Sequence, residues 1–185
     1  MKIDRNKHPE TAIPWIPQIS FDPPDSEMRL WDKFRTGLSL ALYALDNEDY
    51  LIIEPKEPEN DDAGYVQFAG FGQDGIRAEV SSEQFCHFPL GNKKSKRMLK
   101  HLGWNSPTYR KSDQEEPSVG SCNYYVDAKV GDIPVLATSI IYVLQKILLI
   151  KAPYDLKYRS FSNKKDSVHF RSLGIDSVDK LRLSE

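Results

Sequence analysis

Cys86, His87, His101 and Cys122 are the side chains best suited to hold a metal or act as a nucleophile. Their spacing does not favour either role. No CxxC or HxxxH pair is present, and structural zinc sites usually carry one. Cys86 and His87 are neighbours, so on a strand they point to opposite faces. No G-x-S-x-G elbow presents a serine to a histidine. For acid–base chemistry the candidates are Glu79 and Glu83. Glu79 stands beside Arg77 and Tyr65 in a strand pattern, which reads as a cross-strand pair on a solvated face, or as a polar anchor of a binding surface. The glycine-rich Gly70–Gly75 run does not match G-x-G-x-x-G and leads into a strand, whereas a phosphate cradle needs a helix N-terminus behind it. The acidic stretch Pro55–Asp62 lacks the spacing of a calcium loop. No cofactor, metal site or catalytic set emerges. An enzyme of unrecognised type would require Cys86, His87, His101 and Glu79 to meet in one deep pocket.

Basic residues Lys93, Lys94, Lys96, Arg97 and Lys100, followed by Trp104 and Tyr109, have the composition of a single-strand nucleic-acid contact. The whole chain argues against that use. It has 185 residues, a formal net charge of −2 and a pI near 6.1. No global field draws it to nucleic acid or to an anionic membrane. A solvated helix face is the stronger reading, and protein binding ranks ahead of nucleic acid. Two cysteines do not make a disulfide framework, and the first residues have no signal-peptide core, so the expected compartment is the cytoplasm. The apolar run Ile133–Ile150 approaches a membrane span in length. Thr138, Ser139, Gln145 and Lys146 interrupt it, and a core helix is expected instead of a span.

The elements that must position these residues follow from periodicity. In Tyr65–Ser82, Val66 and Phe68 alternate with polar neighbours, then Ile76, Ala78 and Val80 do the same. Asp74-Gly75 between them tolerates positive φ, so an antiparallel hairpin is predicted. Trp31, Phe34, Leu38, Leu42 and Leu45 form a helical stripe, predicted to start near Asp25 or Ser26 and to end near Asp46-Asn47. Tyr50–Glu54 is a strand candidate. A second helix is predicted from a cap at Asn92 to Gly103. Asn123–Val126 is a short strand or the lead into the last helix, which Asp132 caps. Residues 1–24 read as a proline-rich arm with apolar Trp15, Ile16, Ile19 and Phe21, residues 25–158 as one α+β domain, and residues 159–185 as a polar extension.

In order along the chain, Tyr65-Val66-Gln67-Phe68, Ala78-Glu79-Val80-Ser81-Ser82, Leu102-Gly103-Trp104 with Pro107, Asn123, the long apolar helix, and Pro153 with Leu156 and Tyr158 resemble the TY-Chap family. These are bacterial domains similar to type III secretion chaperones and YbjN-like proteins. The resemblance spans about residues 28–158. It implies an antiparallel sheet flanked by helices, a secretion-chaperone-like fold, protein binding and no catalysis. It also implies a partner protein (a client, effector or toxin) in a secretion or conflict system. An immunity protein that neutralises a toxin is the alternative. A broad apolar helix can also pair with a second copy. The expected contacts are Phe68, Phe71, Trp104 and Tyr124, with Glu79 and Asn123 as polar anchors.

Overall fold

The computed structural model describes residues 25–56, 63–89, 91–110, 120–162 and 169–178. Residues 1–24, 57–62, 90, 111–119, 163–168 and 179–185 lie outside it. The stretch Ser177-Val178-Asp179-Lys180-Leu181, whose spacing could make one helical turn, falls largely outside the described residues.

Strand alternation builds the frame. β1 (Asp49–Pro55), β2 (Val66–Gly70), β3 (Ile76–Val80), β4 (Tyr124–Ala128), β5 (Leu156–Ser162) and β6 (Asp176–Ser177) form one sheet in the order β4-β3-β2-β1-β5-β6. All neighbours are antiparallel except β5 and β6. Every second residue is buried. Leu51, Ile53, Val66, Phe68, Ile76, Ala78, Val80, Val126, Leu156 and Tyr158 all point to one face. That face shares a single core with the helices. The α+β class and the antiparallel sheet flanked by helices are thus as the pattern and the resemblance implied.

α1 (Asp25–Tyr43) presents Trp31, Phe34, Leu38 and Leu42 to the core. It ends one turn earlier than expected. The buried Asp49 carboxylate accepts the Asp46 N–H at 3.0 Å and turns the chain into β1. α2 (Asn92–His101) begins at its expected cap, one residue earlier than predicted, because Gly91 occupies the N-cap position. Gly103 takes the left-handed conformation (φ 83°) that ends α2. In the β2–β3 turn, Gly72 and Gly75 carry the positive φ, and Asp74 does not. Asp132 does stand at the N-cap of α3 (Ile133–Tyr142), yet its side chain makes no capping bond. The apolar run continues past α3 as a π-turn, Val143–Ile147, with Leu148 N–H bonded to Val143 O at 3.0 Å. The wider turn keeps Val143, Leu144 and Ile147 inside. Val130–Ile147 is long and apolar enough to cross a membrane, but half of it is buried within this fold.

The C-terminal part contributes more than its polarity suggested. β5 runs through the expected boundary at Tyr158 and pairs with β1 along its length. Phe170 and Leu173 are buried in the same core, and the Tyr158 hydroxyl accepts the Phe170 N–H at 3.1 Å. The turn Arg171–Leu173 lies directly on α1. Ser172 Oγ donates to Gly37 O at 3.0 Å, and a Cβ on Gly37 would stand 2.0 Å from the Ser172 carbonyl oxygen.

Gly37→Ala is therefore expected to destabilise the protein, although alanine is the better helix former by ~1 kcal/mol. Overpacking against backbone should lower stability by about 1–3 kcal/mol. Denaturant midpoints measure the loss. Hydrogen exchange should place the earliest opening at residues 170–177, and unchanged protection there would contradict the packing.

Candidate functional site

The helices cover one face of the sheet and leave the other to half-buried and exposed side chains. Strand register arranges these into rows. Phe161, Tyr50, Ala69, Arg77 and Asp127 form one row, and Arg159, Ile52, Gln67, Glu79 and Tyr125 the next. The small Ala69 lies between larger neighbours. A shallow cleft of about 120 Å³ results, bordered by Tyr50, Ile52, Gln67, Arg77, Glu79 and Phe161. Tyr50 and Phe161 stack with centroids 4.9 Å apart. Phe161 is 47% exposed.

Polar groups around the cleft are already paired. Arg77 donates two bonds to the Asp127 carboxylate, at 2.7 and 2.9 Å, and a third to Gly120 O at 3.0 Å. Its guanidinium lies 5.0 Å from the centroid of the Tyr125 ring. The hydrogen bonds from Arg77 to Asp127 push the arginine pKa up against the effect of burial, so the group stays charged. Glu79 Oε2 accepts from Gln67 Nε2 at 2.6 Å and Asn123 Nδ2 at 3.0 Å. Asn123 is buried and also accepts the Ser82 N–H at 3.2 Å. Tyr65 lies within reach of Asn123, and burial pushes its phenol pKa up. At the opposite side, Glu54 accepts from Arg159 at 2.8 Å, with Lys157 Nζ 3.8 Å away. With these charges paired, the unpaired offering of the face is its apolar surface.

A second depression of about 480 Å³ is polar and open. Glu83, Gln84, Lys96, Thr108, Arg110 and Tyr124 border it. Glu83 receives a short hydrogen bond from Lys96 and a 3.1 Å bond from the Tyr124 hydroxyl. Burial opposes the Glu83 carboxylate, but bonds from Lys96, backbone and Tyr124 outweigh it and lower its pKa. Tyr124 is shifted the other way, by burial first and by the Glu83 charge second.

The residues anticipated as contacts divide among four places. Phe68 is in the core, beneath the cleft floor. Trp104 is also in the core, its indole N–H donating to Ser139 Oγ at 3.1 Å. Tyr124 is buried, with its hydroxyl at the polar depression. Phe71 is 43% exposed at the β2–β3 turn. Glu79 and Asn123 meet in one network on the outer face. The four groups weighed for chemistry do not converge. Cys86 is buried with Sγ 3.2 Å from Ser81 Oγ, His87 and His101 are exposed, and Glu79 borders the cleft. Among the described residues no three His, Cys, Asp or Glu side chains are placed to hold a metal. Tyr50, Ile52 and Phe161 were not anticipated. The run Tyr50–Ile53 is apolar on both faces, so it marks a strand but not which of its residues face outward. Phe161 carries no such mark, because β5 reads as a polar stretch.

The family model described as T3SS (YopN, CesT) and YbjN peptide-binding chaperone 3, TY-Chap3, matches residues 25–162. That range begins with α1 and ends with β5. No curated protein and no solved structure matches the chain.

Asn123→Ala removes the donor to Glu79 and the acceptor for Ser82 N–H. Leaving buried polar groups unpaired should lower stability by about 1–3 kcal/mol, read from urea midpoints, while Asn123→Asp should keep the Ser82 bond and lose the Glu79 one. For Glu83, a lowered folded pKa means its contribution is present above the ordinary carboxylate range and is lost as pH falls through the lowered value. Glu83→Gln should therefore flatten the acid side of the stability–pH curve and leave the neutral side parallel. A curve of unchanged shape would show that the Lys96–Glu83 pair adds nothing.

Proposed function

The chain belongs to the TY-Chap3 family of peptide-binding chaperones, and we propose that it is a non-catalytic module that holds an extended client segment on the outer face of its sheet. One observation carries the placement. The outer face has an apolar cleft at Ala69, between Tyr50, Ile52 and Phe161, whose polar neighbours are already bonded to one another. A surface with saturated polar groups takes ligands by apolar contact, and aromatic side chains carry most of the energy at such sites. Glu79, held by Gln67 and the buried Asn123, borders the cleft without offering a free polar contact. Phe71, at the end of the same hairpin, extends the apolar contact.

The client is a partner protein in a bacterial secretion or toxin–conflict system, and the protein works in the cytoplasm as a holder that does no chemistry on what it binds. Support for this setting is the family's own description as secretion-related chaperones.

The test is a peptide array of dodecapeptides with alternating aliphatic or aromatic residues, beside all-polar controls. The double variant Ile52→Glu, Phe161→Ser changes side chains outside the core and should keep the circular dichroism of the parent. It should lose at least about tenfold in affinity for the apolar peptides. Undiminished binding, with loss instead on Arg110→Ala at the polar depression, would move the site and refute this placement.

A further inference from the structure

We propose that the groove between α1 and the edge of β5 that faces away from β1 is a second peptide-binding site. At rest the chain's own residues 169–178 fill it. In trans it takes a partner segment of the same chemistry: phenylalanine and leucine three positions apart, then glycine, an aliphatic residue and an acid. This groove lies at the sheet's edge and against the helix layer, and it is separate from the outer-face cleft.

The family match ends at Ser162, the last residue of β5. Residues 169–178 lie beyond that range and sit on it as a bound peptide would. Two anchors enter apolar surface. Phe170 and Leu173 are buried, and the Phe170 ring meets the Tyr158 ring edge-on with centroids 6.4 Å apart. Each anchor has a hydrogen bond beside it. The Phe170 N–H donates to the Tyr158 hydroxyl at 3.1 Å, and Ser172 Oγ donates to Gly37 O at 3.0 Å. Glycine is unfavourable inside a helix, yet only glycine at position 37 lets the segment's backbone approach α1, because a Cβ there would strike the Ser172 carbonyl. Gly174 then takes a left-handed conformation (φ 65°) and turns the segment toward the sheet. β6 pairs with the edge of β5, Asp176 opposite Lys157 and Ser177 opposite Tyr158. The Asp176 carboxylate meets the Lys56 ammonium. Side-chain anchors combined with main-chain pairing at a sheet edge are a recurring mode of peptide recognition.

The hold on this segment is that of a ligand. Its strand is two residues long and parallel, the less stable pairing. The Lys56–Asp176 pair is open to water and adds little. Ser177 Oγ is buried and has no hydrogen-bond partner among the described residues. Retention therefore rests on Phe170 and Leu173, with half-buried Ile175 packed beside them, and these side chains define what a partner must present. A tethered occupant acts at an effective concentration in the millimolar range, so the groove opens only to a partner that carries the same anchors.

The experiment uses the full chain with residues 163–168 replaced by the recognition sequence of a site-specific protease. After cleavage, residues 169–185 are held by contacts alone. A fluorescein-labelled peptide of residues 169–178 should exchange into the cut chain, and should bind the uncut chain at least about tenfold more weakly. The circular dichroism of the remaining body should persist through the exchange. Phe170→Ala or Leu173→Ala in the peptide should each weaken binding at least about tenfold, and Gly37→Ala in the cut chain should do the same. Peptides that keep Phe-x-x-Leu-Gly-Ile-Asp and vary every other position should compete as well as the native segment. A cut segment that never exchanges, or a body that unfolds when the segment leaves, would make residues 169–178 part of the frame and overturn the proposal. Exchange by the native segment without competition from the patterned peptides would overturn the partner in trans.

Discussion

One-sided burial of the sheet is the constraint on which everything else depends. Five strands alternate buried and more exposed residues in phase, so the buried set of each strand lands on the same face. Each fully buried Val, Leu, Ile or Phe contributes about 1.5–3 kcal/mol. A slip of one residue in any strand would move its whole apolar set into water. The register is therefore held hard, and α1, α2 and α3 must gather on one side. The opposite side is left as a two-dimensional array of side chains that the core does not need.

That array is organised by its own bonds. Arg77 ties β3 to β4 through Asp127 and to the chain before β4 through Gly120. Glu79 joins β2 to the residue that precedes β4, through Gln67 and Asn123. Asn123 in turn reaches the chain beyond β3 through Ser82. These bonds add little to stability where they are exposed to water. Their effect is positional: they fix Gln67, Arg77 and Glu79 as one wall of the cleft, opposite Tyr50, Ile52 and Phe161.

Much of this was legible in the chain itself. The stripe Trp31, Phe34, Leu38, Leu42, Leu45 is buried throughout, and the hairpin alternates as its residues require. Periodicity reports local burial because it follows from helix and strand geometry alone. It does not report which element lies beside which. Phe68 and Trp104 illustrate the difference, since aromatic residues look alike in sequence whether they fill a core or face a ligand. Here both are inside. Phe161 is the converse: a single aromatic residue in a polar stretch becomes part of the outer face only when β5 pairs with β1.

The sequence by itself determined the class of fold, the faces of its helices and strands, the family, and the lack of any spacing that chemistry would need. Tertiary structure decided the rest. It brought Tyr50 against Phe161 across more than half the chain, paired Arg77 with Asp127, and drew Phe170 and Leu173 into a core that the polarity of their neighbours had concealed. The physical reason is one of range. Burial of a face is dictated by the few residues around each position, whereas the partner across a strand or beneath a helix is selected by the sum of many distant contacts that no local pattern contains.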